Sequence, residues 1–68
     1  MCRNIQKLRR PDRQPTDDEL SAAALQFVRK ISGYRKPSVT NQAVFDQAIA
    51  DIALASRKLF DELQVRSY

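Results

Sequence analysis

Residues 16–33, TDDELSAAALQFVRKISG, spell out both ends of a helix as well as its middle. Thr16 is a natural N-cap, and Glu19 three residues on completes a capping box, whose reciprocal bonds satisfy two otherwise orphaned amides. Asp17, Asp18 and Glu19 stand at the positive end of the helix dipole, Arg29 and Lys30 at the negative end. Leu20, Ala23, Ala24, Phe27, Val28 and Ile31 recur at helical spacing and define one apolar face. Gly33, the only glycine, suits the left-handed position just past a helix end, and Tyr34 is expected to fold back onto Val28. The spacing predicts a first helix over 17–32.

The connector YRKPS follows, in which Pro37 cannot continue a helix and drives Lys36 toward extended geometry. A second helix is predicted over 39–65, beginning at Ser38 or at Thr40; the latter would make Val39 and Val44 a hydrophobic staple. Phe45, Ile49, Ile52, Ser56, Leu59 and Leu63 form its seam, broadened by Val44, Ala48 and Ala55. At the helical rise the two helices span roughly 24 and roughly 40 Å, so the far half of the second, with Leu59, Phe60 and Leu63, overhangs. The segment MCRNIQKL, with Cys2, Ile5 and Leu8 three apart, is placed to cover it, and a partner subunit is the other candidate. Between that segment and the first helix, RRPDRQPT reads as an irregular linker. The expected architecture is all-α: an antiparallel helical hairpin with a short N-terminal segment packed across it, as a monomer or a dimeric bundle. Residues 1–68 are expected to be one domain, with 1–15 as segment and linker and 16–68 as the hairpin.

Small size narrows what can hold such a fold together. A chain of 68 residues buries only about 60% of the surface its unfolded form exposes. Cys2 is the only cysteine and there is no histidine, so neither an internal disulfide nor the usual zinc ligand set can be built. Helix packing and self-association are left. No apolar run approaches the roughly 20 residues of a membrane span, and no hydrophobic stretch of the secretory kind follows the start. The expected setting is the cytoplasm, where a lone thiol stays reduced. No cofactor is expected.

The segments MCRNI, TDDEL, AAALQFVRKISG, KPS and NQAVFDQAI, in that order, resemble a family of short bacterial proteins of unknown function that begin Met-Cys-Arg-Asn-Ile. The resemblance runs from Met1 to about Leu63 and implies a bacterial, cytosolic, mostly helical protein. It brings no activity with it. The chain departs from the family's look in QKLRRPDRQP, which is more basic here.

The net charge of +4 is distributed in blocks. Arg3, Lys7, Arg9, Arg10 and Arg13 crowd the amino-terminal segment, while Arg29, Lys30, Arg35 and Lys36 crowd the joint between the helices. Those four cations with Ser38 would surround the start of the second helix, whose free amides and dipole favour an anion such as a phosphate of nucleic acid. The ordinary reading is a solvated helix-loop-helix joint, with Arg29 and Lys30 answering the dipole of the first helix. Tyr34 is the one aromatic placed to stack on a base, a weak signal by itself. A helix-turn-helix is disfavoured, because the early turns of the second helix, VTNQAVFDQA, carry no cation. Cys2 could be a reactive thiol, or a metal-binding or redox residue, once Met1 is trimmed, with Arg3 favouring the thiolate. Its ordinary reading is a small apolar residue in packing.

Enzymatic chemistry has little to build on. Without histidine no nucleophile–base pair forms; Asp46 and Asp51 do not share a helix face, and the adjacent Asp61 and Glu62 point apart. The expectation is a non-enzymatic binding or interaction module that self-associates through its second helix, where Ile52, Leu59 and Leu63 would meet their counterparts or the partner's N-terminal segment. The alternative is a basic protein that binds nucleic acid or another anion with the joint; membranes are not expected partners.

Overall fold

The computed structural model describes residues 7–63 of the chain. It is a two-helix hairpin with no strand among those residues: α1, Asp17–Ser32, and α2, Gln42–Glu62, packed against each other. A single turn of 3-10 helix, Val39–Asn41, precedes α2. The helices run antiparallel, since Asp17 at the start of α1 pairs with Arg57 near the end of α2.

The ends of α1 form as their residues dictate. The Thr16 hydroxyl accepts from the Glu19 amide at 3.1 Å, and the Glu19 carboxylate accepts from the Thr16 amide at 2.8 Å. At the other end Gly33 takes φ 76° and donates its amide to the Arg29 carbonyl, the single-bond left-handed stop. Tyr34 donates its amide to the Ser32 hydroxyl and is 60% exposed. Val28 is buried against α2's side of the hairpin.

The second helix starts later and ends earlier than its apolar seam suggests. Val39–Asn41 is 3-10, with the tighter bonds Asn41 to Ser38 and Gln42 to Val39, and the α-helical ladder begins at Gln42. Such turns are common at helix starts, and two β-branched residues, Val39 and Thr40, open this one. Neither Ser38 nor Thr40 supplies a side-chain cap. Val39 is 95% exposed, so no staple with Val44 is formed. At the far end Leu63 leaves the helix at ψ 138°; residues 64 and 65 lie outside the described residues.

The core is narrow. Leu20, Ala24 and Val28, four apart, make one stripe of α1, and Phe45 meets it from α2. Ile49, Ile52, Ser56 and Phe60 continue the α2 side half-buried, so the seam bends toward Phe60 rather than running on to Leu59 and Leu63. Ser56 is accommodated by giving its hydroxyl proton to the Ile52 carbonyl at 2.8 Å.

What draws the seam toward Phe60 is the stretch before α1, which is irregular but tied down. Pro15 is buried, and its carbonyl accepts from Arg57 Nη2 at 2.8 Å. The Gln14 amide donates to the Phe60 carbonyl at 3.2 Å. Residues 14 and 15 therefore strap the far half of α2 on one flank of the hairpin. Cys2 and Ile5, the other expected cover, lie outside the described residues; Leu8 is half-buried.

Candidate functional site

The joint does not gather its five sequence-predicted residues into one site. Arg29 is taken up structurally: its Nε donates to the Arg35 carbonyl at 3.1 Å and so holds the turn closed. Lys30 and Arg35 are exposed and, with Gln26, Arg29, Gly33 and Tyr34, line an open concavity of about 440 Å³. Ser38 faces a different recess of about 270 Å³, walled by Tyr34, Pro37, Asn41, Val44 and Phe45. Tyr34 is the partition between the two, and Lys36 lines neither. The cations thus flank α1's end more than α2's start. The predicted thiol Cys2 lies outside the described residues.

Two cations of the other basic block are paired in place. Arg10 and Arg13 both reach Glu19, at 3.2 Å and 3.0 Å. The Arg13 hydrogen bond, the Thr16 amide and the two positive charges together lower the Glu19 carboxyl from its ordinary 4.5 to about 2. This perturbed group is a clamp on a helix cap, with its hydrogen bonds accounted for, and not a poised acid or base. Among the described residues none of the buried side chains is polar or charged, no buried polar atom lacks a partner, and no acid, thiol or imidazole cluster suits a metal. None of their helices is long and apolar enough to cross a membrane.

The surface that stands out is apolar. On α1, Phe27 and Ile31 are 42% and 66% exposed; on α2, Val44 and Leu59 are 71% and 55% exposed. At about 100° per residue, Phe27 falls roughly 60° and Ile31 only about 20° from the centre of the Leu20–Ala24–Val28 stripe, in the same rotational sense as Val44 and Leu59 fall from Phe45. For antiparallel helices that sense brings them to one side of the hairpin. The half-buried Ala23 and Ala48 fall on the same side. The opposite flank carries the strap at its far half, and there Phe60 is withdrawn from solvent. One flank is covered at its far half and the other is bare; Leu54, 71% exposed, lies on the face of α2 away from α1.

Helical spacing puts Phe27 and Ile31 on the apolar face of the first helix, and gives Val44 a staple with Val39 or a place broadening the seam. The available signal was width: two helices can bury little more than the stripes that face each other, and both apolar faces are wider than that.

Residues 1–67 match the family described as Uncharacterized conserved protein (DUF2277). No curated protein and no solved structure gives a significant match. The match takes in the capped first helix, the joint and the whole of α2, and the chain belongs to that family, DUF2277.

Proposed function

We propose that this protein is a non-enzymatic interaction module of the cytoplasm that self-associates through the exposed flank of α2. One observation carries the reading: Phe27, Ile31, Val44 and Leu59 lie bare on a single side of a hairpin whose other side is strapped. Exposed apolar residues gathered on one side mark interaction sites more than singly scattered ones do. The non-enzymatic part of the reading draws on Glu19, whose strongly shifted carboxyl is explained by its clamp. Sedimentation of the wild-type chain against a Val44→Gln, Leu59→Gln variant tests the reading. Both side chains are mostly exposed, so the variant should keep its helicity and lose association. A wild type that stays monomeric at high concentration, or a variant that associates equally well, would sink it.

A second reading, anion binding at the joint, draws on the concavity lined by Lys30 and Arg35. It predicts nucleic-acid affinity that falls steeply with salt through counterion release. Arg35→Gln with Lys36→Gln should remove that affinity without moving the unfolding midpoint, because the geometry of the joint rests on Gly33, Pro37 and Arg29.

A further inference from the structure

The bare flank has cations and a recess at its joint end, and at the other end two carboxylates, Asp61 and Glu62, without an ion pair among the described residues. From these we infer that its occupant is a second copy of this chain, packed face to face and head to tail about a two-fold axis, each copy's joint lying over the other's far end. The inference rests on the self-association proposed above and adds the geometry of the pair.

The need for a second layer comes first. Of the apolar residues of the two helices only Leu20, Ala24, Val28 and Phe45 are buried, so the hairpin hides little of its apolar surface by itself. Stable domains bury an apolar face against a second layer, and this hairpin is only one. A second hairpin laid on the bare flank completes a four-helix arrangement.

Charge then selects the orientation. Two hairpins facing each other across a two-fold axis can set their joints at the same end or at opposite ends. At the same end, Lys30, Arg35 and Lys36 of one copy would meet those of the other, and no acidic residue between Leu20 and Phe45 relieves them. At opposite ends they approach the end of α2, where Glu62 turns to the side of Val44 and Asp61 stands beside it. Those two carboxylates close α2 at the negative end of its dipole, where its last turn holds no cation. Neither makes an ion pair with another described residue. Like charges across an interface are penalised and complementary ones fix its register.

The apolar register agrees. An axis at Ile52, midway along Gln42–Glu62, brings Phe45 of one copy opposite the partner's Leu59, and Asn41 opposite the partner's Leu63. Phe45 and Asn41 belong to the recess of about 270 Å³ at the joint, and Leu59 and Leu63 are 55% and 39% exposed at the other end. Each copy thus offers two leucines at one end and an apolar hole at the other, the pairing of anchor and pocket that concentrates binding energy. The cations of the joint become half of a self-recognition device, and the acids at the end of α2 are its other half.

The test exchanges the charges. One chain carries Lys30→Glu with Arg35→Glu, the other Asp61→Lys with Glu62→Lys, and all the substituted side chains are exposed. In sedimentation equilibrium at low salt, each exchanged chain alone should associate about tenfold or more weakly than wild type, because both end contacts become like-charged. Mixed in equal amounts they should recover wild-type affinity as a heterodimer, since both contacts are again opposite in sign. Circular dichroism of each chain verifies its helices. Should an exchanged chain fail to fold, the wild type supplies the same evidence: its association must weaken as salt screens the end contacts. A wild type that does not associate overturns the self-association reading itself. A wild type that associates while the exchanged chains pair with themselves as tightly, or whose association ignores salt, overturns the head-to-tail arrangement and leaves self-association standing.

Discussion

Glu19 accepts four hydrogen bonds, from Arg10, twice from Arg13 and from the Thr16 amide, and through them holds the start of α1 and the strap together. Its carboxyl titrates at about 2 in the folded chain against an ordinary 4.5. A depressed carboxyl stabilises the fold above its unfolded value, and that stability is lost as pH falls from about 4.5 toward 2. Urea midpoints measured across that window should therefore fall more steeply for wild type than for Glu19→Gln, which keeps a capping-box residue and loses the charge. Matching acid limbs in the two proteins would remove the clamp from the account. Its partner in the box is tested separately: Thr16→Ala should cost about 0.5–2 kcal/mol in unfolding experiments, as loss of an N-cap does elsewhere. At the opposite end of α1, a Cβ added to Gly33 meets nothing within 4 Å, so only the backbone opposes substitution. Gly33→Ala should cost about 1–2 kcal/mol from the φ of 76° alone. A neutral Gly33→Ala would mean that the turn relaxes out of the left-handed region.

At the scale of elements, the strap is the connection that decides which flank is covered, and Arg57 is what fastens it. Its guanidinium reaches the Pro15 carbonyl and the Asp17 carboxylate, both at 2.8 Å, and the Gln14 side chain at 3.5 Å. These contacts are unequal. Asp17 is 92% exposed, so its pairing is heavily screened, whereas the bond to the carbonyl of buried Pro15 is sheltered. Arg57→Met should cost about 1.5–3 kcal/mol, the range for a hydrogen bond involving a charged group. Asp17→Asn should stay within about 0.5 kcal/mol, as exposed pairs do. Equal losses from both would show that the ion pair, and not the backbone tie, holds the strap. The two helix starts differ in the same local way. α1 begins at a side-chain cap, while α2 is reached through a 3-10 turn whose bonds are all backbone.

The whole molecule is one layer of two helices with more apolar width than that layer can hide. Four apolar residues of the helices, Leu20, Ala24, Val28 and Phe45, are buried, a small core for any chain that folds alone. If the bare flank is filled by a second copy, folding and association are linked by mass action. The thermal midpoint should then rise with protein concentration, and the rise should shrink as salt is added. A midpoint independent of concentration over two decades would mean that the hairpin and its strap suffice.

Much of this was legible in the chain because it is local. The capping box spans three residues, the glycine stop one, and both follow from backbone amides that need partners within a turn. The two helices, their antiparallel pairing and the irregular stretch before α1 follow from apolar spacing and the two interruptions at Gly33 and Pro37. The split of the basic joint was not legible, because the side of Tyr34 on which Ser38 and Lys30 fall depends on the path of the turn. Nor was the strap, whose bonds join residues more than forty positions apart through an arginine that looks like any other surface cation. Helical periodicity gives the width of an apolar face but not which part of it another element will cover. Covering depends on contacts distant in sequence, and here the tertiary structure withdrew Val28 and Phe60 and left Phe27, Ile31, Val44 and Leu59 to solvent.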